Sequence, residues 1–376
     1  MIGPLAIDMY LPAMPTIADD LGATEAATQI TLTSYFIAFG AAQMVYGPWA
    51  DQSGRKPPIY LGAALFLIGS AGAATATTLD SLTMWRFVQG LGGAAVMVVP
   101  RAIIRDRYTG AQATKLMAMI MMVISVSPML APLLGSGVIA IADWRAIFWL
   151  LCLIALASLA LTTFVLPETL SQDNRTKINL RAIAQGCRTL VTDPYFMGLT
   201  VVGALGMGSF FVFLASAPFV YTNQFGLSPT GFSLAFAANA IGFFSASQLA
   251  GPMADRIGLA RTVLIGVTVF AVFGVFLAIL AMTISLSLWI VIGLLFLANA
   301  GLGLVIPTTM VMALDPHGQI AGLASSLGGT IQLMAGGILI VLVGPFFNGT
   351  AAPMILAIAA CGMGALLTAR WTLGNP

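Results

Sequence analysis

Apolar runs of roughly twenty residues, each long enough to cross about 30 Å of hydrocarbon as a helix, follow one another along almost the whole sequence. Only short polar breaks separate them. Their limits fall at about 1–18, 28–48, 59–78, 81–103, 113–140, 144–166, 194–222, 230–250, 262–283, 286–312, 320–344 and 350–370. Inside a bilayer every backbone N–H and C=O must be bonded internally, so runs of this length read as helices. The composition agrees: 59% of the 376 residues are hydrophobic and 7% are charged, against about 25% charged in a soluble domain. The expected fold class is an all-α integral membrane protein of twelve transmembrane helices; soluble and barrel folds are set aside.

Several functions drop out on the same grounds. A formal net charge of +2 gives no reason to expect a nucleic-acid partner. Cys152, Cys187 and Cys361 are far apart and in no ligand spacing, so neither a disulfide nor a metal site is expected. The single histidine, His317, falls in a loop, and HExxH and GxSxG are absent, so no catalytic residues are assigned. The nearest thing to a nucleotide loop, "GLGG" at 90–93, lies inside a span, which argues against ATP as the drive. The first run lacks a basic leader and carries an acid, so it reads as helix one and not as a signal peptide. It starts at residue 1 with no polar tail, which leaves open that the natural N-terminus extends further.

Lys and Arg set the orientation, because cytoplasmic loops hold them in excess. With the N-terminus inside, the inner loops and tail carry Arg55, Lys56, Arg105, Arg107, Lys115, Arg175, Lys177, Arg181, Arg188, Arg256, Arg261 and Arg370. The outer loops carry none unless Arg145, at the edge of span six, is counted. Both termini are therefore expected in the cytoplasm of a bacterial-type inner membrane.

The longest polar break halves the chain. This predicts an N-terminal six-helix half at 1–166, a cytoplasmic linker at 167–193 and a C-terminal six-helix half at 194–376. The linker segment "INLRAIAQGCRTLV" (178–191) reads either as an amphipathic helix on the inner leaflet or as a solvated loop. Internal repetition supports the division: "GPWADQSG" (47–54) recurs as "GPMADRIG" (251–258), 204 residues later. At that offset Tyr35 meets Asn239 and Phe39 meets Phe243. Parallel six-helix repeats are a transporter design in which substrate binds at the midplane.

Of thirteen acids, twelve map to loops or helix ends, and Asp8 alone lies well inside a span. Helix one runs outward, so about ten residues at 1.5 Å each place Asp8 roughly 15 Å below the outer surface. Insertion of an ionised Asp there costs about 2.5 to 3.5 kcal/mol, which marks a functional candidate. Arg86 lies about 7 to 8 Å inside span four, where it either snorkels outward or turns toward the bundle. Gln89, Gly90, Gly93 and Met97 continue its stripe, a face that suits a cavity wall. Desolvation disfavours a charged carboxyl and a nearby guanidinium favours it, so Asp8 within reach of Arg86 is poised to bind and release a proton.

Mid-helix polar and aromatic residues are candidate cavity residues: Tyr35, Phe39, Gln89, Met97, Phe213, Asn239, Phe243, Asn299 and Gln332. For any one Phe, core or lipid packing competes with that role; the amides need partners in hydrocarbon. Bends that gating needs are expected at "FLASAPFVY" (213–221), "VVP" (98–100) and "LVIPTT" (304–309). In the loop at 47–57, Gly47 and Gly54 are expected to form a tight turn, Arg55 and Lys56 to face an anionic leaflet, and Asp51 to cap the next element or pair across the domain gap.

"GPWADQSGRKP" (47–57) resembles the loop signature of the major facilitator superfamily, and "LTMWRFVQGLGGAA" (82–95) its helix-four signature, with Arg86, Gln89 and Gly90 at matching positions. "SPMLAPLLGSG" (127–137) is similar to the helix-five antiporter signature through Ala131, Pro132 and Gly135, though Ala131 replaces the usual Gly and Ser136 the second Gly of the closing pair. "PLAIDMYLPAMP" (4–15), "WRAIFW" (144–149) and "PET" (167–169) narrow the resemblance to twelve-helix drug:proton antiporters of the bicyclomycin-resistance type. The resemblance implies a major facilitator fold and a functional monomer that exports small, largely apolar drugs, driven by the proton gradient with no cofactor. It implies proton coupling at Asp8 and Arg86, and a conformational switch at Asp51 and Arg55, with Asp255 and Arg256 as the second, more structural copy. Export of a native metabolite is the alternative.

Overall fold

The structure, a computed structural model, describes residues 2–108, 110–175 and 180–374. Lys177, one of the basic residues assigned to the inner linker, lies outside the described residues. Among these residues the elements are helical and no strand occurs. The helices are α1 (Ile2–Asp8), α2 (Met14–Asp20), α3 (Glu25–Ser53), α4 (Lys56–Ala74), α5 (Leu79–Arg107), α6 (Gly110–Ile141), α7 (Arg145–Phe164), α8 (Leu180–Thr192), α9 (Pro194–Phe219), α10 (Pro229–Ile257), α11 (Leu259–Thr283), α12 (Leu288–Leu314), α13 (Ala321–Val343) and α14 (Ala351–Gly374). With α1 and α2 as the two parts of one span and α8 set apart, they make twelve spans. By length and hydropathy alone nine stretches of the described residues qualify, because α1 and α2 are short, α3 is more polar, and α12 runs into α13 through a 3-10 turn.

The first span is not the single helix expected over 1–18. It breaks after Asp8, passes through a 3-10 turn at Leu11–Ala13 and resumes at Met14. Pro12 has no N–H for the carbonyl of Asp8, four residues before it, and its ring crowds that carbonyl, so α1 ends there. Pro15 does the same to Leu11. A short-range bond from the Ala13 amide to Tyr10 O (3.1 Å) carries the chain across the gap.

The chain divides into two compact units, Met1–Leu180 and Arg181–Pro376. In the first, α4 and α5 cross on glycine: a Cβ on Gly62 would come 2.2 Å from that of Ala95, and one on Gly92 would come 2.3 Å from the Phe66 amide. Without large side chains at the crossing, helix backbones approach closely and dispersion contacts accumulate. The second unit repeats the device, with Gly266 lying 204 residues after Gly62 and Gly301 lying 209 after Gly92. There a Cβ on Gly266 would lie 2.9 Å from Gly301 O, and one on Gly301 would lie 2.7 Å from the Phe270 amide. The caps repeat too: the Thr24 hydroxyl accepts from Ala27 N at the start of α3, and the Ser228 hydroxyl accepts from Gly231 N at the start of α10.

The loop signature is shorter than the sequence suggested. Gly47 is helical, because α3 runs through Pro48 to Ser53, and the turn is made by Gly54 alone, at φ +95°. Its counterpart Gly258 has φ +88°. Only glycine tolerates that backbone region readily. The expected bends include Pro100 inside α5, Pro307 inside α12, and a π-helical turn at Val220–Gln224 just after Pro218 in α9.

Candidate functional site

Asp8 is the last residue of α1 and is 5% exposed; its Oδ2 accepts a hydrogen bond from the Ser127 hydroxyl of α6 at 3.0 Å. Arg86 of α5 turns inward and is fully buried. Its Nη1 donates to Ala6 O at 3.1 Å and to the Gln89 side-chain oxygen. Gln89 passes the chain on through its amide to the Ser70 hydroxyl of α4 at 2.8 Å. Arg86 thus meets the last turn of α1, where unpaired carbonyls carry partial negative charge. Among the described residues Asp8 and Arg86 form no ion pair, and Nε and Nη2 of Arg86 have no acceptor.

Aromatic rings box the cation. The guanidinium carbon lies 4.6 Å from the Tyr10 ring centroid, 4.5 Å from that of Tyr35 and 5.9 Å from that of Phe148. Such rings stabilise a buried guanidinium by about 1 to 2 kcal/mol each when desolvated. The Tyr10 and Thr31 hydroxyls share a 2.6 Å hydrogen bond, and the Tyr35 hydroxyl donates to Gly3 O at 3.3 Å. Tyr35 and Phe39 sit with ring centroids 6.0 Å apart.

The stripe below Arg86 does not form an open wall. A Cβ on Gly90 would come 2.4 Å from Tyr35 O, and one on Gly93 would come 2.6 Å from the Tyr35 hydroxyl, so α3 closes this face and only Met97 is half-exposed. On α6, Ala131, Pro132 and Gly135 are buried, and a Cβ on Gly135 would come 2.3 Å from Met9 O. The antiporter-like segment therefore seats directly on the break in the first span.

At the far end of this unit, Arg55 does not face a leaflet. It is buried and donates from Nε and Nη2 to both oxygens of Asp106 (2.6 and 2.9 Å) and from Nη1 to Asp51. Asp51 accordingly pairs within its own unit. Glu168 accepts from the backbone N–H groups of Arg55 (2.8 Å) and Lys56 (3.1 Å) at the start of α4, and from Thr169 and Leu170. Burial raises the Asp106 carboxyl, but the Arg55 bonds and charge, the Thr169 hydroxyl and Arg105 outweigh it and hold it below its usual value. Burial likewise raises Glu168, and its four backbone donors outweigh that effect and lower it. At the opposite end Arg145, the exception to the charge rule, is matched by Asp20 (3.0 Å) and Asp143 (2.8 Å).

In the second unit two candidates come together: Asn299 Nδ2 donates to Asn239 Oδ1 at 3.4 Å, while Asn239 Nδ2 donates to Ala235 O at 3.1 Å. Phe213 and Phe243 join one aromatic ladder through Phe210, which lies 6.5 Å from Phe213 and 5.9 Å from Phe243, and Phe213 stacks on Phe236 at 5.6 Å. Gln332 instead lines a hollow with Thr200, Thr309 and Ser325. Asp255 and Arg256 are exposed, and among the described residues neither forms an ion pair. The sequence reading missed Ser127, Ser70, Tyr10, Phe148, Asp106 and Glu168. Tyr10, Ser127, Phe148 and Glu168 fall inside the quoted stretches "PLAIDMYLPAMP", "SPMLAPLLGSG", "WRAIFW" and "PET", so a signal for those four was at hand.

Comparison with known proteins bears on what these residues serve. The profile of the Major Facilitator Superfamily matches residues 1–340. The "Bicyclomycin resistance protein homolog" of Haemophilus influenzae is 32% identical over 365 residues, covering 96% of this chain and 90% of that protein. The "Multidrug resistance protein MdtL" of Escherichia coli is 30% identical over 368 residues, covering 98% and 92%. The crystal structure of a D-xylose-proton symporter superposes with a TM-score of 0.74 at 18% identity, over 99% of this chain and 95% of that one, a likeness of fold.

Proposed function

This chain belongs to the Major Facilitator Superfamily, and on that premise we propose that it exports small, largely apolar drugs or antibiotics in exchange for protons, by alternating access, with Asp8 as the proton carrier and Arg86 as its partner. It is a transporter and not an enzyme. Sequence relatives at about 30% identity are named for bicyclomycin and multidrug resistance, which supports the choice of cargo.

The observation that carries the coupling is the setting of Asp8. It lies at a helix end buried in the membrane span, with the Ser127 hydroxyl as donor and no ion pair among the described residues. An uncompensated carboxylate in hydrocarbon is costly, so loading and unloading a proton there changes the energy of its surroundings by several kcal/mol. Arg86 holds the carbonyl of Ala6 one half-turn earlier, with two donors to spare. Loss of the proton gives those donors a carboxylate to answer, and that exchange of partners shifts α1 against α5 and α6. Gly135 against Met9 passes the movement to α6.

We assign cargo contact to Tyr35, Phe39, Gln89 and Met97 in the first half and Phe213, Asn239, Phe243, Asn299 and Gln332 in the second. Aromatics and amides with few fixed charges tolerate many shapes. The halves are 1–166 and 194–376, joined by 167–193; Asp51 and Arg55 form the switch loop, and the protein works as a monomer in a cytoplasmic membrane with both termini inside. No cofactor enters the cycle, since the proton gradient supplies the work.

The deciding experiment reconstitutes wild type and Asp8→Asn in vesicles and imposes a pH gradient. Asp8→Asn is expected to lose gradient-driven drug movement while keeping drug binding by equilibrium measurement. Gradient-driven transport at the wild-type rate would remove Asp8 from the coupling.

A further inference from the structure

From Leu180 on, the segment read as either a helix or a loop is a helix, α8, and its sides are unequal. At 100° per residue they fall into three sectors. Gly186 and Leu190 face the rest of their own unit: Leu190 is fully covered, and a Cβ on Gly186 would come 2.5 Å from Leu323 of α13. Ala184, Cys187 and Val191 form the next strip, with Val191 53% exposed, Ala184 exposed and Cys187 half-covered. Arg181 and Arg188 stand exposed on the far border of that strip, and α8 contains no acid. Apart from the Leu190 side, α8 packs sparsely on the other helices.

Its place in the chain fixes what lies nearby. α7 and α9 are consecutive spans, so 165–193 stays on one membrane face, the face that the Lys and Arg pattern assigns to the cytoplasm. That leaflet is anionic and attracts basic segments, and apolar side chains of an amphipathic helix sink into its headgroup boundary. We propose that α8 lies in the plane of the inner leaflet, with Ala184, Cys187 and Val191 inserted and Arg181 and Arg188 bound to anionic headgroups. The partner is the lipid surface itself. The inference rests on the chain being a membrane protein and is independent of its cargo.

The seat reaches the bundle through one residue. Asp193, directly after α8, accepts from the amides of Tyr195 and Phe196 at the start of α9 and from His317 Nε2 (2.8 Å) in the turn between α12 and α13. Leaflet charge thus sets the level at which α9 starts.

Cys187 is the one cysteine of the three that is not buried, so a thiol-reactive spin label targets it in the otherwise native chain. The labelled protein is reconstituted in phosphatidylethanolamine–phosphatidylglycerol vesicles and in phosphatidylcholine alone. Collisions with oxygen are then compared with collisions with a water-soluble nickel chelate. Oxygen is expected to dominate in anionic vesicles, and the ratio to fall at least twofold in phosphatidylcholine and in the Arg181→Gln/Arg188→Gln double variant. Three results overturn the proposal: dominance of the nickel chelate in every vesicle, which means a solvated linker; dipolar broadening between labels, which means a second copy covers the strip; and an oxygen ratio indifferent to lipid charge and to both arginines.

Discussion

The Arg86 guanidinium donates to the carbonyl of Ala6 at 3.1 Å, two residues before the carboxylate of Asp8. The cation is therefore tied to the backbone of the acid's own helix. That helix ends at Asp8 because Pro12 follows four residues later. Charge, break and acid form one unit, and a change in any of them reaches the others through the backbone of α1. The box of Tyr10, Tyr35 and Phe148 holds the guanidinium, whose Nε and Nη2 have no acceptor.

Arg86→Lys tests whether the fork matters beyond the charge. Arg86 serves Ala6 O and Gln89 from the one nitrogen Nη1, which an ammonium can match, but lysine lacks the planar face that stacks on two tyrosines and the spare Nε and Nη2 donors. Gradient-driven drug transport in everted vesicles, at matched protein amount, is expected to fall about tenfold or more, a loss of roughly 1.4 kcal/mol of transition-state stabilisation. Arg86→Gln is expected to fall further. A lysine variant transporting at the wild-type rate would show that charge alone suffices.

Part of this site was legible from single residues. The isolation of Asp8 among apolar neighbours and the glycine turn at 54, repeated at 258, are local facts with local physics; Pro12 is local too, but the sequence reading takes 1–18 as one helix and so does not place its end at Asp8. The partners were not. Ser127 is 119 residues from Asp8, and Asp106 is 51 from Arg55, so only the packing of α6 on α1 and of the α5 end on the loop brings them together. Reading Arg55 as leaflet-facing followed a sound rule for exposed cations; the fold overrode it with two carboxylates. The stripe at Gly90 and Gly93 looked like a cavity wall because small residues serve both cavities and helix crossings, and here Tyr35 occupies the space.

Gly135→Ala is expected to disturb the seat of α6 on the broken span. Its Cβ would come 2.3 Å from Met9 O, a backbone atom with little room to move, whereas nothing lies within 4 Å of a Cβ on Gly137. Overpacking of this kind costs about 1 to 3 kcal/mol. Thermal unfolding in detergent is expected to show a lower midpoint for Gly135→Ala and an unchanged one for Gly137→Ala. Equal midpoints would mean that α6 shifts freely against Met9.

Gly54→Ala and Gly258→Ala separate backbone strain from crowding at the two repeat loops. Both positions have positive φ that costs an L side chain about 1 to 3 kcal/mol. At Gly54 the new Cβ would also come 2.7 Å from Glu168 Oε2, and Glu168 is fixed by four backbone donors. At Gly258 nothing lies within 4 Å. Gly54→Ala is therefore expected to be the less stable variant in the same unfolding assay, and the reverse order would place the switch-loop rigidity elsewhere.

The Arg55 network gives a pH dependence with a definite sign. Asp106 and Glu168 titrate below their usual values in the folded protein, so the folded state binds fewer protons than the unfolded chain as the pH drops toward the ordinary carboxylate range. Their stabilisation is complete above the unfolded values of about 3.9 and 4.3 and is lost as the pH falls through the lowered folded ones. Removing the Asp106 charge leaves buried Arg55 with Asp51 as its one remaining carboxylate, at a cost of about 2 kcal/mol near neutral pH. Unfolding midpoints measured from pH 7 down to pH 3 are expected to show Asp106→Asn well below wild type at pH 7, with the gap narrowing as the pH falls below about 3.9, where the unfolded chain takes up the proton that folded Asp106 resists. A gap that stays constant across that range would show that the Asp106 side chain contributes by shape and not by charge.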